Sequence, residues 1–135
     1  MQKTKMKIII CITGFIVTLG ITACDPGHRG TASIDNQSSE SFILHYQTRY
    51  KDTSIVIPSE TKKVVLNFGG IGEGRSYPGA LIEFSKVELT PTDTTRKLIK
   101  NIKVPENWEM INRNKRRFSS KPIDCWFTVT NNDIE

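Results

Sequence analysis

The segment Ser41–Tyr50 (SFILHYQTRY) alternates, with Phe42, Leu44, Tyr46 and Tyr50 on one face and Ile43, His45, Gln47 and Arg49 on the other. A period of two is the signature of a half-buried strand. The same rule predicts strands over Thr53–Ile57 and Lys62–Phe68, joined through Pro58-Ser59-Glu60 as a strand–turn–strand unit. Proline cannot donate to a ladder and so marks the turn, while Lys62-Lys63 suit an exposed sheet edge. Ala80–Thr90 alternates as far as Phe84 and resumes on the opposite parity at Val87 and Leu89. One extra residue near Ser85-Lys86, a bulge or bend, would restore the face. Arg96–Val104 is a further expected strand and Ile123–Thr130 the last, whereas Asn107–Arg113 is at most a helical turn behind Pro105. Short strands, about seven in number, with frequent turns and no long amphipathic helix, predict an all-β fold. The expected domain is an antiparallel β-sandwich over residues 32–135.

One stretch does not alternate. Ile8–Ala23 is apolar almost without interruption, follows Lys3, Lys5 and Lys7, and closes with Ile21-Thr22-Ala23-Cys24. It is shorter than the roughly 20 residues a spanning helix needs and carries Gly14, Gly20 and three threonines. A positive leader followed by a short apolar core is an export signal. Its last four residues resemble the lipobox of bacterial lipoproteins: an aliphatic residue, a spacer, a small residue and cysteine. That resemblance implies that residues 1–23 are removed and that Cys24 carries two or three acyl chains, palmitate among them. Each buried methylene contributes about 0.8 kcal/mol, so such chains hold a protein on a membrane without a helix. Residues 24–31 (CDPGHRGT) then read as a lipidated tether. Its seven residues after the cysteine reach at most about 25 Å, so the domain stays close to its membrane.

The signal changes the charge balance. The whole chain has 19 Lys+Arg against 14 Asp+Glu, but three of the lysines leave with the signal, so the mature chain is only slightly basic. That excludes the concentrated basic footprint of a nucleic-acid binder. It also settles the cysteines. Cys11 leaves with the signal and Cys24 is acylated, so Cys125 has no intramolecular partner. Cys125 is in phase with Ile123, Phe127 and Val129, which predicts a buried thiol rather than a nucleophile.

Little else in the chain suggests chemistry. His28 falls in the tether, and His45 lies on the polar face of its strand with no acid at motif spacing. With no ligand set of metal spacing, neither a metal nor another cofactor is expected. A small hydrolase would need His45 to meet Asp52, Glu83 or Asp124 across the sheets. The run Gly69–Ser76 lacks the Gly-Lys-Ser/Thr ending of a phosphate loop and is expected to be a mobile inter-strand loop. Arg113, Lys115, Arg116 and Arg117 form the one local charge concentration, suited to anionic lipid headgroups or acidic glycans. Trp126 is out of phase with the core residues of its strand and so could cover a sheet edge or stack on a sugar; Trp108 is the other tryptophan. A non-catalytic interaction or accessory module is therefore expected. The alternative is a glycan- or anionic-surface-binding module built on Trp126 and residues 113–117.

Three further phrases carry a family resemblance. They are Ile55-Val56-Ile57-Pro58-Ser59-Glu60-Thr61, Asn107-Trp108-Glu109, and the closing Phe127-Thr128-Val129-Thr130 with Asp133-Ile134. Together with the lipobox cysteine Cys24 they resemble the small envelope lipoproteins common in Bacteroidota. That resemblance implies an immunoglobulin- or transthyretin-like sandwich; the outer membrane is the expected location, with an envelope protein or glycan as partner. It also implies O-glycosylation at Thr94, because Asp93-Thr94-Thr95 fits the pattern of Asp-Thr followed by a small or aliphatic residue or threonine. Surface-exposed relatives often carry an acidic run behind the cysteine. Asp25–Arg29 holds a single acid, which points to the periplasmic face.

Overall fold

The computed structural model describes residues 27–116 and 120–135. The signal, Cys24 and Arg117 lie outside the described residues. Seven strands form two sheets: β1 (Gly27–Asn36), β2 (Phe42–Gln47), β3 (Asp52–Ile57), β4 (Thr61–Ile71), β5 (Lys86–Pro91), β6 (Trp108–Asn112) and β7 (Ile123–Val129). One sheet has the order β4-β1-β7-β6 and the other β3-β2-β5. Neighbours pair antiparallel except β1 and β7, which run parallel from Gly30↔Ile123 to Asn36↔Val129. The expected sandwich is what forms. Among the described residues there is no α-helix, and none is long and apolar enough to cross a membrane.

The two-residue period decides what fills the space between the sheets. β2 contributes Phe42, Leu44 and Tyr46, and β7 contributes Ile123, Cys125, Phe127 and Val129, all essentially inaccessible to solvent. Each large apolar side chain so buried contributes about 1.5–3 kcal/mol relative to exposure. Tyr46 also carries a hydroxyl into the core, and it donates to the Val65 carbonyl of the opposite sheet at 2.8 Å. Aromatic edges continue from there, through Tyr46–Phe84 (5.6 Å between ring centres), Phe84–Trp108 (6.2 Å) and Trp108–Phe127 (5.7 Å). Trp108 satisfies its own indole N–H on the Ile102 carbonyl at 2.8 Å.

Several expectations are corrected by pairing. The tether expected over 24–31 is strand from Gly27 onward, because β1 pairs with β4 from Gly27 and with β7 from Gly30. Pro58-Ser59-Glu60 does not close a hairpin. It carries the chain from one sheet to the other, with Glu60 at φ 51°. Of the expected strand 80–90, only Lys86–Pro91 is strand. Gly79 at φ 121° opens a 3-10 turn over Ala80–Glu83 that buries Ala80 and Phe84 and leaves Ile82 61% exposed. Arg96–Val104 is not a strand either. Its backbone turns at Asn101, whose carboxamide oxygen accepts from the Lys103 N–H at 2.9 Å, and only Leu98 makes a bridge, to Ile134. Trp108–Asn112, expected to be at most a helical turn, is strand β6. Gly69, Gly70 and Ile71 of the glycine run extend β4, and Lys62 and Lys63 lie exposed on that edge strand as expected.

The strands share one direction convention that matters below. β1 ends at Asn36, and a short turn feeds β2, so the Asn36–Ser41 and Pro58–Thr61 turns lie at one end of the sandwich. The start of β1, the β2–β3 loop, the end of β4, the start of β5 and the β6–β7 connection lie at the other.

Candidate functional site

The β6–β7 connection is the most built of the charged regions. Its base is tied by the buried Asn114, whose carboxamide donates to the Lys121 carbonyl (2.8 Å) and accepts from the Lys121 N–H (2.9 Å). Asn112 joins this base to the neighbouring turn by donating to the Gly74 carbonyl at 2.6 Å. Above it Arg113, Lys115, Arg116 and Lys121 line a shallow depression of about 600 Å³ together with Asn112. Arg113 pairs with Asp124 at 3.3 Å, and all four cations are exposed.

Trp126 does not belong to this region. It lies on the outer face of the four-stranded sheet, opposite Ser33 and Glu109, three residues up the strand from Ile123. That is about 10 Å of extended chain. The Lys62 ammonium sits 4.7 Å from the Trp126 ring centre and covers a face that a sugar would stack on. Thr94 is exposed in the turn after β5, at the end of the sandwich opposite the basic connection. There the Asp93 carboxylate accepts from both the N–H (2.9 Å) and the hydroxyl (2.7 Å) of Thr95. These hydrogen bonds hold the Asp93 carboxyl below its ordinary pKa and leave the Thr94 side chain outward.

The histidines end in places that periodicity alone did not reveal. His28 is part of β1, its ring 5.2 Å from that of Tyr77, with Nδ1 buried and without a hydrogen-bonding partner. His45 meets one of the three carboxylates named for it, because β3 pairs with β2. Its Nε2 is 3.5 Å from Asp52, and its Nδ1 is 2.9 Å from the Ser54 hydroxyl. The trio spans two neighbours of one sheet on the open outer face, with the Asp52 side chain 59% exposed. A nucleophile needs its base, an oxyanion donor set and a substrate surface converging on one point. Here water reaches the same groups from above, and Glu83 and Asp124 are engaged elsewhere, with Tyr77 and Arg113. Among the described residues no cluster of three or more His, Cys, Asp or Glu has metal-binding geometry.

Cys125 is core, as its phase predicts, at 1% exposure. With Leu81, Ile82, Pro105, Trp108 and Met110 it lines an apolar cavity of about 340 Å³ between the 3-10 turn and β6. Burial, only partly offset by a hydrogen bond from Ala80, pushes the thiol pKa from 9.0 up to about 11. Tyr77 is raised further, by burial and by the Glu83 carboxylate that accepts its hydroxyl at 3.0 Å. The thiolate is the reactive form. In the chain from residue 24 onward with Cys24→Ser, Cys125 should therefore react with a disulfide reagent at pH 7 about a hundredfold more slowly than in urea. Equal rates in the two states would show that the register of β7 is wrong. The linkage has a sign as well. A raised pKa favours the folded state in full below about 9, and this contribution is lost as pH rises through about 11.

Searches against protein-family models, curated proteins and solved structures return no match for this chain.

Proposed function

We propose that this chain is a lipid-anchored protein of the bacterial cell envelope whose sandwich works as an interaction or accessory module, not as a catalyst. One observation carries the reading: Ile21-Thr22-Ala23-Cys24 ends an apolar export segment, and strand β1 begins only three residues after the cysteine. That spacing would hold the folded domain within about 10 Å of an acylated cysteine. Resemblance to Bacteroidota envelope lipoproteins supports an outer-membrane position facing the periplasm. The exposure of Thr94 is compatible with O-glycosylation at the end of the domain remote from the anchor.

A glycan reading through Trp126 is disfavoured by the Lys62 ammonium over its ring and by its distance along β7 from the basic connection. A hydrolase reading through His45 gains Asp52 and Ser54 as neighbours, but on a flat, wetted sheet face. Attraction to an anionic surface is the alternative that the positions of the charges support.

The anchoring test uses Cys24→Ser in the full-length protein. The parent should incorporate labelled palmitate and stay with membranes through a high-salt wash. The variant should do neither. A variant that still pelleted after the wash would overturn the lipoprotein reading.

A further inference from the structure

We propose that the end of the sandwich where β1 begins is a docking surface for an anionic lipid bilayer, holding the domain upright on the membrane that carries it. The orientation rests on the anchor reading above, whereas the surface itself stands on charge, exposure and topology.

Connections far apart in sequence meet at this end, and most bring cations. The β2–β3 loop brings Arg49 and Lys51, the β4 exit Arg75, and β5 begins at Lys86. The β6–β7 connection adds Arg113, Lys115, Arg116 and Lys121 around its depression. Acids here are fewer and occupied: Asp124 pairs with Arg113, Asp52 faces His45, Glu73 holds Arg75 at 2.6 Å, and Glu83 accepts from the Tyr77 hydroxyl. The opposite end collects Asp35, Glu40, Glu60, Asp93, Asp133 and Glu135, which outnumber Lys62, Lys63, Arg96 and Lys97 there. A nearly neutral sequence has thus folded into a dipolar domain with its positive end towards residue 24.

A second observation is independent of charge. Among the described residues the two most exposed large hydrophobic side chains, Tyr50 (88%) in the β2–β3 loop and Ile71 (79%) at the end of β4, are both at this end. An exposed tyrosine among arginines and lysines suits the headgroup layer, where an amphipathic ring has one apolar and one wet side. Three residues of chain from Cys24 to Gly27 span at most about 10 Å. That is about one screening length at physiological salt, so the cations stay within reach of the surface. Each basic side chain near an anionic bilayer raises affinity about fivefold. The depression beneath Arg116 and Lys121 offers room for a headgroup phosphate.

The test uses the chain from residue 24 onward with Cys24→Ser, which keeps every described element and has no acyl group. It should sediment with vesicles of about 30% phosphatidylglycerol in phosphatidylethanolamine and not with phosphatidylcholine vesicles. Salt at about 0.5 M should release it. Lys115→Glu/Arg116→Glu/Lys121→Glu should weaken binding about a hundredfold or more. Lys97→Glu, beside Glu135 at the opposite end, should change it less than twofold. Tyr50→Ala should lower binding with unchanged salt dependence. All these side chains are exposed, so thermal melts should match the parent. Equal recovery on both vesicle types, an unaffected triple variant, or capture by lipopolysaccharide or acidic glycan alone would overturn the proposal. The two readings separate cleanly. Acylation at Cys24 without vesicle binding removes this surface and leaves the anchor. Vesicle binding without acylation removes the anchor and leaves the surface.

Discussion

Replacing Asn36 by alanine is expected to lower the unfolding free energy by about 3–5 kcal/mol, a large fraction of what a domain of this size possesses. Asn36 is 1% exposed at the end of β1. Its carboxamide nitrogen donates to the carbonyls of Glu40 (2.7 Å) and Pro58 (2.8 Å). Its oxygen accepts from the N–H (3.1 Å) and the hydroxyl (2.7 Å) of Ser38. One side chain thus fastens the β1–β2 turn to the crossover between the sheets. Alanine would leave the Pro58 carbonyl and the Ser38 N–H without their partner and the Ser38 hydroxyl with only its 3.3 Å contacts to Glu40, and each orphaned group costs about 1–3 kcal/mol. Asn36→Asp should be worse at neutral pH, because a carboxylate would face two carbonyl oxygens that need a donor. Urea titrations at equal m-values would measure both. A cost below about 1 kcal/mol for alanine would show that the turn holds without the amide. The same burial bars a glycan from Asn36, although Asn36-Gln37-Ser38 is formally a sequon.

Strands that alternate were visible in advance, and those held mainly by their neighbours were not. β2, β3 and β7 carry alternating side chains that pack on the facing sheet, so the period of two reports their burial directly. The first half of β1 has Gly27, His28, Gly30 and Thr31, a composition that reads as tether. It is strand because β4 supplies ladder partners from Gly27 and β7 adds them on the other side from Gly30. Ala80–Glu83 misled in the opposite sense. Alternating apolar residues suggested a strand, but the left-handed φ of Gly79 starts a turn in which Ala80 and Phe84, four apart, share the buried side. Site residues follow the same logic. The cations of the β6–β7 connection form a run and can be read from the sequence. Arg49, Arg75 and Lys86 join them only through the strand order, which local spacing does not encode. His45 found Asp52 for the same reason, since cross-strand register, not sequence spacing, sets that contact.

Gly30→Ala is the second large effect expected, at about 3 kcal/mol or more. β1 and β7 run side by side here, with Gly30 opposite Ile123 and, on the other side, opposite Phe68 of β4. A methyl group built on Gly30 would meet the Ile123 carbonyl oxygen and, at 2.5 Å, the tip of the Phe68 ring. The ring cannot simply swing away, because it is stacked on Tyr77 with 4.8 Å between centres. The carbonyl belongs to backbone and cannot yield without moving β7. Gly27 is the matched control in the same strand. A methyl there has only the Gly70 carbonyl oxygen nearby, at 3.5 Å, so Gly27→Ala should be neutral or slightly stabilising through the unfolded chain. Phe68→Ala would vacate half of the obstruction, so the double variant Gly30→Ala/Phe68→Ala should cost less than the sum of the singles. Thermal and urea unfolding of the four proteins supplies the cycle. If Gly30→Ala unfolded together with the parent, β1 could not lie this close to β7, and the parallel register of these two strands would have to be redrawn.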